Sequence, residues 1–201
     1  DDLAYVGEGW GLTPSSKAVV FLDNHDTQRS GAPLTYKSGT LYVLANIFML
    51  AHPYGYPKVM SSFHFDWPDQ GPPAVPVHGP GGELRCGVGQ PWVCEHRHPA
   101  IANMVAWRRS AGESPITNFL SGGDTMAFCR GTAACVALNR MGFAWNVTLR
   151  VGLPPGEYCD VIRSDSGDCP SVQVRADGTA QLLVPGKSAV AIHAAARKPL
   201  V

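Results

Sequence analysis

The stretch VVFLDNHDTQR, Val19 to Arg29, decides how the fold is read. Val19, Val20, Phe21 and Leu22 form an apolar run without polar alternation, the pattern of a parallel strand covered on both faces. Asp23, Asn24, His25 and Asp26 follow without a break. Polar and ionisable groups at the C-terminal edge of such a strand are where a (β/α)8 barrel places its chemistry. Taken alone, the short word NHD reads more readily as strand-end caps, Asp23 and Asp26, beside a structural histidine, His25. Working outward, Leu41, Leu44, Ile47, Phe48 and Ala51 recur at helical spacing. They predict a helix over Leu41 to Ala51 packed on a barrel wall, closed by Pro53 and Gly55. The run Lys58 to Ser61 reads as the next parallel strand, and strand, helix, strand is the rhythm of an α/β barrel.

Further on, prolines and glycines crowd Asp66 to Trp92 without periodicity, the texture of a long functional loop. His98-Pro99 opens a helix with proline at its first position. Ile101, Met104 and Val105 give that helix its buried face, and Arg108 and Arg109 near its end suit the helix dipole. Beyond Gly112 come short β-rich pieces, MAFC, CVALNR, NVTLRVGL, YCDVI, SVQVRA, AQLLV and AVAIHAA, separated by turn residues. Strands at that spacing predict an antiparallel sandwich, with the boundary near Glu113 to Thr117.

The 201 residues suffice for a sizeable core and suit one or two domains. Sixteen acidic and sixteen basic side chains cancel, so nothing favours nucleic acid or an anionic membrane as partner. A neutral polymer fits the balance. No apolar run approaches the roughly 20 residues that span a bilayer. Glu95-His96-Arg97-His98 lacks the HExxH spacing of a helical zinc site, and Ser61-Ser62 lacks the G-x-S-x-G elbow of a serine hydrolase. Trp10, Trp67, Trp92, Trp107 and Trp145 divide between core packing, expected for most of them, and aromatic faces suited to a sugar ring.

Several words in order, GEGWG (Gly7 to Gly11), FLDNHDTQR, MLAHPYGYPKVMSS (Met49 to Ser62) and WVCEHR (Trp92 to Arg97), closely resemble the animal-type branch of the α-amylase family. These are retaining glycoside hydrolases of α-1,4-glucans. The resemblance covers nearly the whole chain but only the latter part of a family member. It implies an α/β fold: residues 1–113 as strands seven and eight of a (β/α)8 TIM barrel with their helices, and residues 114–201 as an all-β antiparallel Greek-key sandwich. The implied parent is a secreted α-amylase that cuts starch and glycogen internally with retention, an extracellular monomer when full length, with α-glucan as partner.

The resemblance also assigns roles. Asp26 matches the transition-state stabiliser and His25 a ligand of the same glucose. The nucleophile and the acid/base belong to the fourth and fifth strands, so the chain is expected to be partial and inactive alone. Asn24 matches one chloride ligand, and Lys58 a position held by Arg or Lys in chloride-dependent relatives. Calcium would be held by residues elsewhere, leaving no metal site in this chain. Ser30-Gly31-Ala32-Pro33 departs from the family by lacking a histidine-bearing flexible loop. Alternative readings are a non-catalytic glucan-binding or interaction module, and another glucan-active member such as a transglycosylase.

Six cysteines fall as three sequential pairs, which suits local disulfides in an oxidising compartment. Cys86 with Cys94 and Cys159 with Cys169 match positions bridged in animal-type members. Cys129 and Cys135 read equally as a bridge across a hairpin or as two small buried thiols. Asn146-Val147-Thr148 is an N-glycosylation acceptor by pattern.

Overall fold

The computed structural model describes residues 2–199. Strand β1 (Val19–Val20) pairs in parallel with β2 (Tyr56–Pro57), with Val19 opposite Tyr56 and Val20 opposite Pro57. Helix α1 (Thr40–Ala51) lies between them in the chain. Gly55 makes the approach to β2 possible: its φ is +68°, and a Cβ there would meet Val20 Cγ1 at 2.7 Å.

Two expectations shift here. The second parallel strand begins earlier than Lys58, and Lys58 to Ser61 runs outside the paired residues, with the Lys58 N–H donating to the Val20 carbonyl at 2.8 Å. The run expected to be covered on both faces is covered on one: Val19 and Phe21 are 52% and 46% exposed, while Val20 and Leu22 are half-buried. Covering both faces needs a layer packed on each, and the alternation of exposure shows such a layer on one face of β1 among the described residues.

Helix α2 (Pro99–Ala111) has proline at its start, and Arg108 and Arg109 in its last turn. It packs on α1. Ile101 and Met104 are buried as expected, whereas Val105 is 47% exposed and Leu41 of α1 is 37% exposed. The buried stripe of α2 instead runs Ile101, Met104, Trp107, Ala111, one residue in every three or four.

The remainder is two antiparallel four-stranded sheets. One, in the order β10-β5-β4-β3, contains β3 (Ile116–Gly122), β4 (Thr125–Arg130), β5 (Ala134–Asn139) and β10 (Ser188–His193). The other, in the order β6-β9-β8-β7, contains β6 (Trp145–Arg150), β7 (Gly156–Cys159), β8 (Ser171–Val174) and β9 (Thr179–Val184). Strand β3 is an addition to the pieces read from sequence. Its pairing with β4 is interrupted between Thr117 and Leu120, where Asn118 takes φ +53°, a bulge that breaks the apolar alternation.

The first sheet is covered on both faces. Ala127, Cys129, Cys135, Ala137, Val190 and Ile192 join a core with Leu149, Tyr158, Val174 and Leu182 of the second sheet. Phe128, Val136, Leu138, Ala189 and Ala191 join a second core with Leu44, Ile47, Met104 and Trp107 of the helices. The helices were expected on a barrel wall; here their apolar faces also close directly over the sandwich. Trp107 Nε1 donates to the carbonyls of Cys135 (3.2 Å) and Ile192 (3.0 Å), so even its one polar atom is satisfied by the sheet.

All three cysteine pairs are bonded, Cys86–Cys94, Cys129–Cys135 and Cys159–Cys169. The alternative of free thiols for the middle pair is set aside by the register, which puts Cys129 directly opposite Cys135 on β4 and β5. Among the described residues no helix is long and apolar enough to cross a membrane.

Candidate functional site

The tip of β1 is shaped by Asn24. Its Oδ1 accepts the backbone N–H of Asp26 (2.9 Å) and of Thr27 (2.8 Å), and its own N–H donates to Thr27 Oγ1 (3.0 Å). This is the local turn that an Asn side chain builds in place of a strand. Further backbone bonds, Gln28 N–H to the Asn24 carbonyl and Arg29 N–H to the Asp26 carbonyl, each 3.0 Å, tighten it. The turn separates side chains that are adjacent in sequence. Asp23 points into the protein, 3% exposed, while His25 and Asp26 stand outward with side chains 82% and 83% exposed.

His25 Nε2 lies 3.5 Å from Asp26 Oδ1. The two therefore present a donor and a carboxylate side by side at the C-terminal end of a strand paired in parallel, an arrangement suited to neighbouring hydroxyls of one ring. Asp23 behaves differently. Its Oδ1 accepts the Tyr42 hydroxyl at 2.7 Å, and burial holds its carboxyl above the ordinary carboxylate range. Its Oδ2 is buried without a partner among the described residues.

Behind the tip, Gln28, Ser62 and Glu95 form a buried network. Glu95 Oε2 accepts the Ser62 N–H at 2.7 Å, and the Ser62 hydroxyl lies between Glu95 Oε1 and Gln28 Oε1. Ser62 thus locks the segment that follows β2 to the turn that follows β1. Glu95, in the word WVCEHR, is a structural acceptor that composition alone did not single out.

Asn24 and Lys58, the two anion-ligand candidates, lie just beyond the C-terminal ends of the two paired strands, Asn24 four residues after β1 and Lys58 directly after β2. The Oδ1 end of Asn24 is used by its turn, so the donor end of the amide is the one left to offer, and Lys58 is an exposed cation. Donor N–H groups and an ammonium are the chemistry an anion requires. No cluster of three or more His, Cys, Asp or Glu side chains that would hold a metal ion occurs among the described residues.

Cavities among the described residues lie elsewhere. One, about 620 Å³, is lined by Tyr36, Tyr42, Leu84, Val88 and Ile101; another, about 930 Å³, by Leu50, Val59, Val105 and Arg108. Neither includes His25 or Asp26. Of the tryptophans, Trp107 is fully buried, whereas Trp10 and Trp67 are 50% and 58% exposed. Asn146 is exposed on the edge strand β6.

Residues 119–195 match the family model of the α-amylase C-terminal all-β domain. Along 96% of its length the chain is 40% identical to an α-amylase of Pecten maximus, of which it covers 41%. It is 39% identical to human pancreatic α-amylase over 94% of its length and 42% of that protein's. The chain thus spans well under half the length of these curated relatives. Crystal structures of α-amylase I from Eisenia fetida, as wild type and as a variant in complex with maltohexaose, superpose with a TM-score of 0.84 at 36% identity, covering 96% of this chain and 44% of theirs.

Proposed function

The chain carries the C-terminal all-β domain of the α-amylases and matches the latter part of animal members of that family, and on that premise we propose that it completes a secreted enzyme hydrolysing internal α-1,4-glucosidic bonds of starch and glycogen. The observation that carries the reading is the outward pair His25 and Asp26, side by side at the C-terminal end of a parallel strand. Retaining hydrolysis uses a nucleophilic carboxylate and a second carboxyl as acid and base, about 5 to 5.5 Å apart, around an oxocarbenium-like transition state. In this reading both come from strands outside this chain. Asp26 accepts hydroxyls of the distorted sugar, and the bonds strengthen as positive charge develops on the ring. His25 donates to a hydroxyl of the same unit. Three disulfides suit an oxidising, extracellular setting.

Asn24 and Lys58 would hold a chloride ion, whose charge beside the catalytic carboxyl would keep that acid's proton affinity high. Calcium, where used, would be held by residues outside this chain.

The test is Asp26→Asn in the protein that carries this chain together with the rest of its barrel. The kcat on soluble starch should fall at least about 100-fold with little change in KM, because the lost interaction belongs to the transition state. An unchanged kcat would sink the assignment. Hydrolysis products without transfer products separate the amylase from a transglycosylase.

A further inference from the structure

The turn that follows Asp26 and the turn that follows β2 are joined by side chains from the first. Arg29 lays its guanidinium over the rings of Phe63 and Phe65, 4.8 and 4.1 Å from their centroids. From the same group, Nη1 donates to the carbonyls of Pro68 (2.9 Å) and Gln70 (3.1 Å). Lys37 lies 3.9 Å from the Phe65 centroid and donates to the Phe65 carbonyl at 2.8 Å. The Tyr36 hydroxyl accepts the Phe65 N–H at 3.1 Å, and its ring meets that of Phe65 edge-on.

Within the second turn, Gln70 closes the loop on itself. Its Oε1 accepts the Asp66 N–H at 2.8 Å and its Nε2 donates to the His64 carbonyl at 3.2 Å. The outcome is a short segment whose Phe65 is 6% exposed and whose neighbours Asp66, Trp67, Pro68 and Asp69 face solvent. Arg29 is bonded to carbonyls and stacked on rings, so its job depends on the planar fork of the guanidinium and not on charge alone. A lysine brings a cation, as Lys37 does to Phe65, but not the planar group that stacks on Phe63 and Phe65 while bonding Pro68 and Gln70.

Arg29 stands three residues after Asp26, so what it grips is held beside the catalytic-strand tip. We propose that Arg29 is a positioning residue: it fixes the 64–70 turn next to Asp26 as a rigid wall of the glucan cleft, where an untethered segment of this composition would be a mobile flap. The proposal rests on the α-amylase reading. Lys37 and Tyr36 hold the same turn at Phe65, and Gln70 sets its internal shape, which leaves Arg29 as the link between the turn and the segment that carries Asp26.

The experiment has two arms. In hydrogen exchange on the chain, Arg29→Met should speed exchange at the Phe65, Asp66 and Gln70 amides about tenfold and leave the amides of β4, β5 and β10 unchanged. Arg29→Lys should not restore protection, and it serves as the test variant should Arg29→Met fail to fold. In the protein with its complete barrel, both variants should raise KM for maltoheptaose about tenfold with kcat within about twofold, the signature of lost uniform binding. Unaltered exchange at 64–70 overturns the positioning role. Faster exchange with an unmoved KM overturns the cleft-wall role. Absence of any starch hydrolysis by the parent protein with Arg29 intact would instead strike at the enzymatic reading, while the exchange arm still decides whether Arg29 orders the turn.

Discussion

Arg130, on β4 of the sandwich, donates from Nη1 to the carbonyl of Ala51 at the C-terminal end of α1, 3.0 Å away. The same guanidinium reaches the carbonyls of Gly112 (2.7 Å) and Ser114 (2.5 Å) between α2 and β3. It is 1% exposed, and burial first, then Arg108, brings its pKa down to about 10. One buried cation thus satisfies carbonyls left open at both helix ends and joins the helices to the sheet. Arg108 serves the carbonyls of Leu50 (3.0 Å) and Gly55 (2.8 Å) in the same way.

Replacing Arg130 with Met keeps the aliphatic volume and orphans those carbonyls. Stability should fall by about 3 kcal/mol, read as a lower urea midpoint with an unchanged slope. A loss below about 1 kcal/mol would show that the carbonyls find other partners.

Burial raises the Asp160 carboxyl to about 6 from 3.8, although its Oδ1 accepts the N–H groups of Ala191 (3.0 Å) and Ile162 (3.2 Å). The folded chain keeps this proton where the unfolded chain has lost it. The contribution of Asp160 therefore declines as pH rises from about 4 to about 6 and is level above. His52 acts oppositely: burial, then the nearby Arg130 and Arg108, lowers it to about 4 from 6.5, so its contribution is lost as pH falls through the same range. Asp160→Asn keeps the acceptor oxygen and removes the charge. Relative to the unsubstituted chain it should gain on the order of 3 kcal/mol between pH 4 and pH 7.5, and urea unfolding at both values checks this. A difference independent of pH would show that Asp160 does not titrate in that window.

Cys129 and Cys135 close a ring only six residues apart across a paired hairpin. Substituting both with Ala should cost about 2 kcal/mol, the magnitude expected of a short loop. Thermal unfolding of the two forms measures it. Loss of folding altogether would mean that the bridge is needed to establish the β4 and β5 register.

Asn146 and Thr148 lie two residues apart on β6, so both point to one face, and both are exposed on a sheet edge. Secretion from a eukaryotic host should add an N-linked glycan there, at the edge where pairing with another chain threatens. Intact mass before and after amidase treatment detects it. Asn146→Gln should abolish the shift, and a mass equal to the bare chain in the unsubstituted protein rules the modification out.

The legible parts were those with a local cause. Apolar spacing marked α1 and α2, proline at position 99 marked the start of α2, and short β-rich pieces set between turn residues marked most of the sandwich strands. Strand β3 escaped because Asn118 and the bulge around it interrupt its run of β-forming residues. Val105 was misjudged because helical spacing says which residues share a face and not how wide a partner that face will meet. At the site, the turn built by Asn24 follows from residue type, but the opposite fates of Asp23 and Asp26 do not.

The linear order of residues determined the strand tip, its polar cluster, the helices and the antiparallel texture that follows, since each depends on neighbours a few positions away. Tertiary structure alone decided that Arg29 grips a turn about 40 residues later in the chain, that Arg130 unites two helix ends with a sheet, and that Ser62 is buried against Glu95. Those contacts arise from packing between elements distant in sequence. A long flexible side chain carries no mark of the carbonyl it will reach until the surrounding core has closed.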